Sequence, residues 1–316
     1  MRPVQVQLGE TRASRALRRI DPMGMGLEIG PSLNPIAPKR AGFRVHVIDH
    51  LDRRGLVAKY QGHGADTSVI EEVDFVWRGE SYAQLTGGRH QYDWVIASHV
   101  VVHTPDLIGF LRNCSSVLKS GGVLSLVVPD MRECFDHFRM PTGLAAVIDA
   151  HLRRATQPSA GMVAEHTLNA TSRGGLIAWL PGMTGEQHFV HDAAVAAQQM
   201  NAVIQFGVYV DVHCWCFLPS TFRLLMHDLA TLEYINLYEL DFVPTPLGEF
   251  HVALVAADAP PVDRPSRLEL LRAAQAEWAE LNAVHGAGDP NPPRPDPDLR
   301  PNGVPATAAF VSATGP

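Results

Sequence analysis

The feature of this sequence that most constrains its fold is an apolar strand that ends at a glycine. Residues 26–30 read Gly-Leu-Glu-Ile-Gly, and a second apolar run, 43–49, ends in the acid Asp49. A strand that stops at a glycine, followed by a strand that ends in a carboxylate, is typical of a nucleoside-cofactor site in an α/β fold. The pattern therefore predicts a cofactor at the turn after the first strand.

Strand patterns alternate with helical patterns as far as residue 130. The fourth apolar run, 92–99, is almost continuously apolar, as expected of a strand buried on both faces. Two late runs joined by a proline-rich link predict an antiparallel hairpin. The sequence therefore predicts a doubly wound, mainly parallel, seven-stranded α/β sheet of the Rossmann-like kind. The predicted strands are 26–30, 43–49, 70–77, 92–99, 123–128, 235–243 and 250–256.

The fifth predicted strand is followed by a long insertion with a different pattern. Residues 131–213 read as short helices, and an insertion at this point emerges at the carboxyl edge of the sheet, where ligands bind in open α/β folds. We expect it to act as a lid or an acceptor-binding wall. The predicted domains are an N-terminal arm at 1–22, a cofactor-binding domain at 23–130 and 214–258, the helical insertion at 131–213, a C-terminal helix at 259–285 and a disordered tail at 286–316.

The composition favours a small-molecule acceptor as the partner. The chain has 316 residues, 46% of them hydrophobic, and a net charge of -7, so nothing draws it toward nucleic acid or anionic lipid. It has no apolar run of the roughly 20 residues that a membrane span needs, which predicts no membrane partner and a cytoplasmic location. Its four cysteines lack the spacing of a zinc site or a disulfide framework. A homodimer is left open.

The first turn discriminates between cofactors. A dinucleotide fingerprint needs spaced glycines whose backbone amides approach a pyrophosphate, but here Pro31, which has no N–H, follows Gly30. A cationic sulfonium amino acid needs a carboxylate near the turn, and Glu28 supplies one. A carboxylate in an apolar strand must also be paired to be tolerated. The turn therefore favours S-adenosylmethionine over NAD.

Residues 26–130 resemble the class I S-adenosylmethionine-dependent methyltransferases. The resemblance rests on Leu-Glu-Ile-Gly-Pro, on Val-Ile-Asp, and most specifically on the segments 92–106 and 117–130. The chain departs from the family at Val102, where many relatives have a glutamate just before the histidine. The cofactor-binding residues that the resemblance implies are Glu28, Gly30 and Pro31 at the methionine moiety, Asp49 with His50 at the ribose, Asp74 and Phe75 near adenine, and Ser98 and His99 facing the methyl group.

Histidines are the candidate bases. Methyl transfer is an in-line displacement in which the enzyme positions the acceptor and removes its proton, and a histidine that titrates near neutrality suits this task. The ranked candidates are His99, His103, His137 and His213. His188 and His191 have the spacing of a metal pair on one helix face, but no third ligand follows, so we predict no metal and a helix N-terminus at Asp192.

The predicted function is methyl transfer from S-adenosylmethionine to an oxygen or nitrogen of a small-molecule or sugar-like acceptor, with a histidine as base. Two alternatives are a non-methylating S-adenosylmethionine-binding protein and an NAD-dependent oxidoreductase. The aromatic segment 211–217 is strand-like and suits either an acceptor wall or the core.

Overall fold

The computed structural model describes residues 11–62, 64–245, 247–286 and 294–295. The strands are β1 (Gly26–Ile29), β2 (Val45–Asp49), β3 (Phe75–Val76), β4 (Tyr92–Ser98), β5 (Leu118–Pro129), β6 (Thr171–Arg173), β7 (Gln187–Phe189), β8 (Leu237–Val243), β9 (Glu249–Ala256) and β10 (Arg294–Pro295). The helices are α1 (Arg12–Ala16), α2 (Arg53–Gln61), α3 (Tyr82–Leu85), α4 (Leu107–Val117), α5 (Leu144–Leu152), α6 (Ala160–Asn169), α7 (Ala193–Phe206), α8 (Pro219–Thr231) and α9 (Arg267–Gly286). None of these helices is long and apolar enough to cross a membrane.

Seven strands form one mixed sheet in the order β3-β2-β1-β4-β5-β9-β8. The first five are parallel, and β9 runs antiparallel to both β5 and β8. The predicted doubly wound, mainly parallel sheet is therefore confirmed. Because β1 is flanked by β2 on one side and β4 on the other, the carboxyl ends of β1 and β4 form the switch point at which such sheets bind ligands.

The centre of the sheet is held by close packing of β1 against β4. Gly26 is paired with Trp94, and a Cβ atom at Gly26 would lie 2.1 Å from the indole ring. Only glycine leaves room for the indole here. The sheet face that carries Leu27 and Val95 is covered by α4 and α8, and both side chains are fully buried.

The opposite face of the sheet is covered partly by the N-terminal arm. Ala16 and Ile20 pack with Trp94 and Val127 in one apolar cluster. The hydroxyl of Ser125 on β5 donates to the carbonyl of Ala16 at 2.6 Å. The arm predicted for residues 1–22 thus contains α1, and its first ten residues lie outside the described part of the chain.

The third strand and the insertion differ from the sequence prediction. The third strand is limited to β3. Glu71 accepts from the backbone amides of Lys39 and Arg40 in the loop before β2, while Asp74 bonds to Val47 of β2. The insertion is not wholly helical: besides α5, α6 and α7 it contains the antiparallel pair β6–β7. Thr171 and Ser172 of β6 are fully buried, which favours a paired extended strand over a surface helix.

Segment 211–217 is extended but is not a strand. It crosses the carboxyl edge of the sheet and makes one isolated bridge there, between Phe217 and Asp130. Further along the chain, α9 reaches Gly286, and β10 pairs in parallel with β7. Within the tail predicted to be disordered at 286–316, Gly286 is thus the last residue of α9, and Arg294–Pro295 form β10. The other residues of this tail lie outside the described part of the chain.

Candidate functional site at the carboxyl edge of the sheet

Asp49 lies at the carboxyl end of β2 with its carboxylate fully enclosed. Oδ1 accepts from the backbone amide and Nδ1 of His50 at 2.8 and 2.6 Å, and Oδ2 accepts from the amide and hydroxyl of Ser32, both at 3.2 Å. The exposed fraction of Asp49 is 0%. The structure therefore brings Asp49, His50 and the turn after β1 together, and a ribose hydroxyl would have to replace one of these donors.

The turn after β1 lies directly over Asp49. Gly30 has a φ of +61°, and Ser32 has a φ of +44°, a left-handed conformation that costs a non-glycine residue free energy. The space between Pro31, Ser32 and Asp49 is only about 10 Å³, room for a single water. Binding of a ribose at Asp49 therefore requires the turn to move at Ser32.

Glu28 is buried in the middle of β1, with an exposed fraction of 1%. Its carboxylate accepts from the backbone amides of Ile36 and Ala37 at 2.6 and 3.1 Å. Burial raises the pKa of Glu28 to about 7, although the two backbone hydrogen bonds oppose this. The partners that the buried Glu28 carboxylate requires are thus backbone amides of this chain, and Glu28 anchors the loop at residues 36–37. Its role at the methionine moiety stays a prediction.

Asp74 and Phe75 lie one step back from the carboxyl edge. Asp74 accepts from the backbone amide of Val47 at 2.7 Å and from Lys39 at 2.5 Å, and Phe75 is in register with Ile48. Asp49 at the end of β2 is in register with Val76, and the amide of the next residue, Trp77, donates to the carbonyl of Asp49. Trp77 was not predicted; the sequence signal for it was the end of the apolar run Phe-Val-Trp.

A cavity of about 490 Å³ opens between the segments that follow β3 and β4. This volume is in the range of small-molecule sites. Aromatic side chains form much of its wall, and His103 and Arg78 contribute polar groups. The aromatic lining residues are Trp77, Tyr82, Phe110 and Tyr209.

His103 is the predicted base that lines this cavity. It ends a short 3-10 turn after β4, and its Nδ1 lies 3.0 Å from Oδ1 of Asp211. Its Nε2 has no hydrogen-bond partner among the residues that the structure describes. Sequence reasoning did not select Asp211, because the residue lies 108 positions further along the chain.

His213 packs edge-on against His103, with ring centroids 4.7 Å apart. Its Nδ1 lies 2.5 Å from Asp136, which also binds Arg139 at 2.8 Å. Burial lowers the pKa of His213 although Asp136 opposes this, and burial lowers the pKa of nearby His166 to about 3. Both imidazoles are therefore neutral at neutral pH, and His213 belongs to a buried network behind His103.

Ser98 and His99 form a separate polar group at the end of β4. His99 Nε2 lies 2.8 Å from Glu249 at the start of β9, and Arg12 of α1 binds both Glu249 and the hydroxyl of Ser98. Burial alone would raise the pKa of Glu249, but His99 and Arg12 lower it to about 2. Arg12 and Glu249 were missed, since nothing in their local sequence indicates that they meet.

The remaining histidines lie away from the cavity. His137 binds the carbonyl of Arg132 through Nδ1 at 2.7 Å and packs on Trp179. His188 lies in β7 and His191 in the turn before α7, so the two do not share a helix face, and Asp192 caps α7. The described part of the chain contains no group of three or more histidine, cysteine or acidic residues arranged to hold a metal ion.

The donor set at the switch point fits S-adenosylmethionine in its chemistry. Asp49 is a carboxylate at the end of β2, a group able to accept from ribose hydroxyls, and the aromatic cavity beside Trp77 suits the flat face of adenine. The fit requires Ser32 to release one oxygen of Asp49, as its small adjoining space shows.

Comparisons with known proteins agree with this chemistry. Residues 27–126 match a family described as "Methyltransferase domain". The ubiquinone biosynthesis O-methyltransferase of Methylocella silvestris is 29% identical over 112 residues, which are 35% of this chain and 41% of that protein. The aligned part therefore spans less than half the length of this relative.

Similar folds occur among solved structures. The PH0226 protein of Pyrococcus horikoshii has a TM-score of 0.40 and 14% identity, covering 76% of this chain and 85% of its own. The CcbJ methyltransferase of Streptomyces caelestis has a TM-score of 0.40 and 13% identity, covering 78% and 95%. Over residues 27–126, the chain is thus similar to proteins that carry a methyltransferase domain.

Proposed function

We propose that this protein transfers the methyl group of S-adenosylmethionine to an oxygen or nitrogen of a small-molecule or sugar-like acceptor, with His103 as the base. The observation that carries the proposal is that His103 lines the 490 Å³ cavity while Asp211 holds its Nδ1 at 3.0 Å. The net charge of -7 supports a small or neutral acceptor over a polyanion.

The cofactor would lie along the carboxyl edge of the sheet. Asp49 would accept the ribose hydroxyls in place of Ser32, and Trp77 would pack against the adenine. When bound, S-adenosylmethionine supplies an electrophilic methyl group on a sulfonium and leaves as the neutral thioether. The acceptor's proton would pass to Nε2 of His103 as the acceptor oxygen or nitrogen bonds to the methyl carbon.

The other candidate bases have their ring nitrogens engaged elsewhere. His99 directs Nε2 to Glu249, and His137 lies on Trp179. His213 binds Asp136 through Nδ1 and does not line the cavity. The curated relative is named an O-methyltransferase, which supports oxygen as the acceptor atom.

Two measurements test the proposal. Calorimetry should detect binding of S-adenosylmethionine and none of NAD. Incubation with methyl-tritiated S-adenosylmethionine and a pool of small metabolites should then label a product. Binding of NAD without S-adenosylmethionine would overturn the assignment, and cofactor binding without any labelled product would favour a non-methylating S-adenosylmethionine-binding protein.

The role of His103 has its own variant pair. His103→Gln should retain cofactor binding and lose most of the transfer to whichever metabolite is labelled, by about 100-fold, because the acceptor's proton then has no base. The matched control is His227→Gln, which alters a histidine beside Asp228 on α8. Equal rates for the two variants would remove His103 from the mechanism.

A further inference from the structure

We propose that Asp211 is the positioning residue for His103: it holds the imidazole with the proton on Nδ1 and the lone pair of Nε2 turned toward the cavity. The proposal rests on the proposed role of His103 and names the group that orients it. Asp211 belongs to the insertion, so the base would be completed by a part of the chain outside the sheet.

Asp211 is held beside His103 by the contacts of its own chain segment. The segment after α7 returns across the carboxyl edge, where Tyr209 lines the cavity. The segment is then tied to the turn after β4 by two hydrogen bonds, from the amide of Cys214 to the carbonyl of Val102 at 2.8 Å and from the indole of Trp215 to the carbonyl of Thr104 at 2.6 Å. These two bonds, made just C-terminal to Asp211, therefore stabilise its 3.0 Å contact with His103.

The contact with Asp211 sets the tautomer of His103. A carboxylate only accepts hydrogen bonds, so the nitrogen of a neutral imidazole that faces Asp211 must carry the proton. That nitrogen is Nδ1, which leaves Nε2 as the acceptor. A base needs this arrangement, because the nitrogen that removes the proton must present a lone pair to the acceptor.

The groups around His103 and Asp211 set the charge that the pair experiences. The ring of His213 packs against His103, and the ring of His166 lies 6.0 Å from that of His213. Burial lowers the pKa of both, so neither is a cation beside His103 at neutral pH. On the other side, Asp211 lies in the field of Lys59. Lys59 also lies 3.2 Å from Nε2 of His50, next to Asp49. Asp211 thus lies between the cation on the β2 side and the base on the β4 side.

A second imidazole–carboxylate pair lies beside His103 and Asp211 but away from the cavity. His213 and Asp136 also form an imidazole–carboxylate contact, but Asp136 is bound by Arg139 and enclosed. The side chain of Asp211 is 18% exposed and that of Asp136 is 1% exposed. The two imidazoles are equally buried, at 7% each, but of the two only His103 lines the cavity.

The test reads the His103 tautomer by nitrogen-15 NMR of the imidazole, which needs no acceptor. The His103 signals are assigned by their loss in His103→Gln. In the unsubstituted protein we expect the proton on Nδ1, in Asp211→Ala a mixture of the two tautomers, and in Asp211→Glu recovery of the Nδ1 form. The matched control is Glu186→Gln, which alters an acid of the same insertion beside His188, at 3.6 Å.

Each outcome bears on the proposal separately from the proposed function. A proton on Nε2 in the unsubstituted protein, or an unchanged tautomer in Asp211→Ala, would overturn it, as would an equal change in Glu186→Gln. Calorimetry with S-adenosylmethionine should give affinities within about threefold across the Asp211 variants, since the residue orients the base and not the cofactor. If the unsubstituted protein fails to bind S-adenosylmethionine, the proposed function fails, while the tautomer still decides whether Asp211 orients His103.

Discussion

Ser32 donates both its backbone amide and its hydroxyl to Oδ2 of Asp49, each at 3.2 Å. The acid proposed to bind the ribose is thus closed by the turn after the preceding strand. The left-handed φ of +44° at Ser32 means that this closed turn is held at some cost in free energy. The proposed binding of a ribose at Asp49 therefore predicts that cofactor affinity depends on Ser32.

Asp49→Ala should weaken binding of S-adenosylmethionine by about 1 to 3 kcal/mol, because the ribose hydroxyls lose their acceptor. Calorimetry provides the measurement. The matched control is Asp52→Ala, which removes an exposed carboxylate that caps α2 through the amide of Gly55. Equal affinities for unsubstituted protein and Asp49→Ala would place the cofactor elsewhere.

Ser32→Gly should tighten cofactor binding. Glycine adopts a φ of +44° without strain, and the substitution removes the hydroxyl that competes for Oδ2 of Asp49. The same calorimetric titration applies. Weaker binding by this variant would show that the Ser32 hydroxyl contacts the cofactor instead of competing with it.

Glu28 should make the protein less stable as pH rises from about 4.5 to 7. Burial raises its pKa in the folded chain from 4.5 to about 7, so across this window the folded state binds more protons than the unfolded one, and the free energy of unfolding falls. The loss is on the order of 3 kcal/mol. Denaturant unfolding at pH 5 and pH 7.5 should show it in the unsubstituted protein and show less of it in Glu28→Gln; identical pH dependence of the two proteins would argue against a proton on Glu28.

Arg12→Ala should lower the free energy of unfolding by about 1 to 3 kcal/mol, because Glu249 is buried and loses a charged partner. Arg18→Ala is the matched control: Arg18 follows α1, its side chain is 43% exposed, and it binds Asp241. Exposed pairs of this kind contribute less than about 1 kcal/mol. Chemical denaturation of both variants decides, and equal losses would mean that the contact of Arg12 with Glu249 adds little.

Gly26→Ala should destabilise the sheet by about 3 kcal/mol, since the new methyl group would lie 2.1 Å from the Trp94 ring. Gly161→Ala is the control of opposite sign: it lies in α6 with its nearest neighbour 3.8 Å from the added Cβ, so a helical alanine should be neutral or stabilising. Thermal unfolding measures both. A well-folded Gly26→Ala protein would show that Trp94 can move aside.

The seven strands and their mainly parallel sheet were predictable because each strand carries its own signal. The continuous apolar run of 92–99 and the glycine at the end of 26–30 are local properties, and the parallel arrangement follows from the helices between strands. The place of Asp49 at the carboxyl end of β2 was also predictable, since the acid ends the apolar run 43–49. Its enclosure by Ser32 was not, because it depends on how the turn folds back.

The contacts within the site were less predictable. His103 stood among four ranked histidines, and only its place on the cavity wall separates it from His137. Asp211 and Arg12 carry no local mark of function. Trp77 comes next to Asp49 through the register of β3 with β2, which pairs Val76 with Asp49.

The sequence by itself determined the sheet and the position of Asp49 at the end of a strand, because strand periodicity and the turn at Gly30 act over a few residues. The tertiary structure alone decided which side chains meet at the carboxyl edge. Arg12 reaches Glu249 across 237 positions, and Asp211 reaches His103 across 108. Such pairs arise when the chain is packed, where burial and complementary charge bring distant residues together, and no local pattern encodes them.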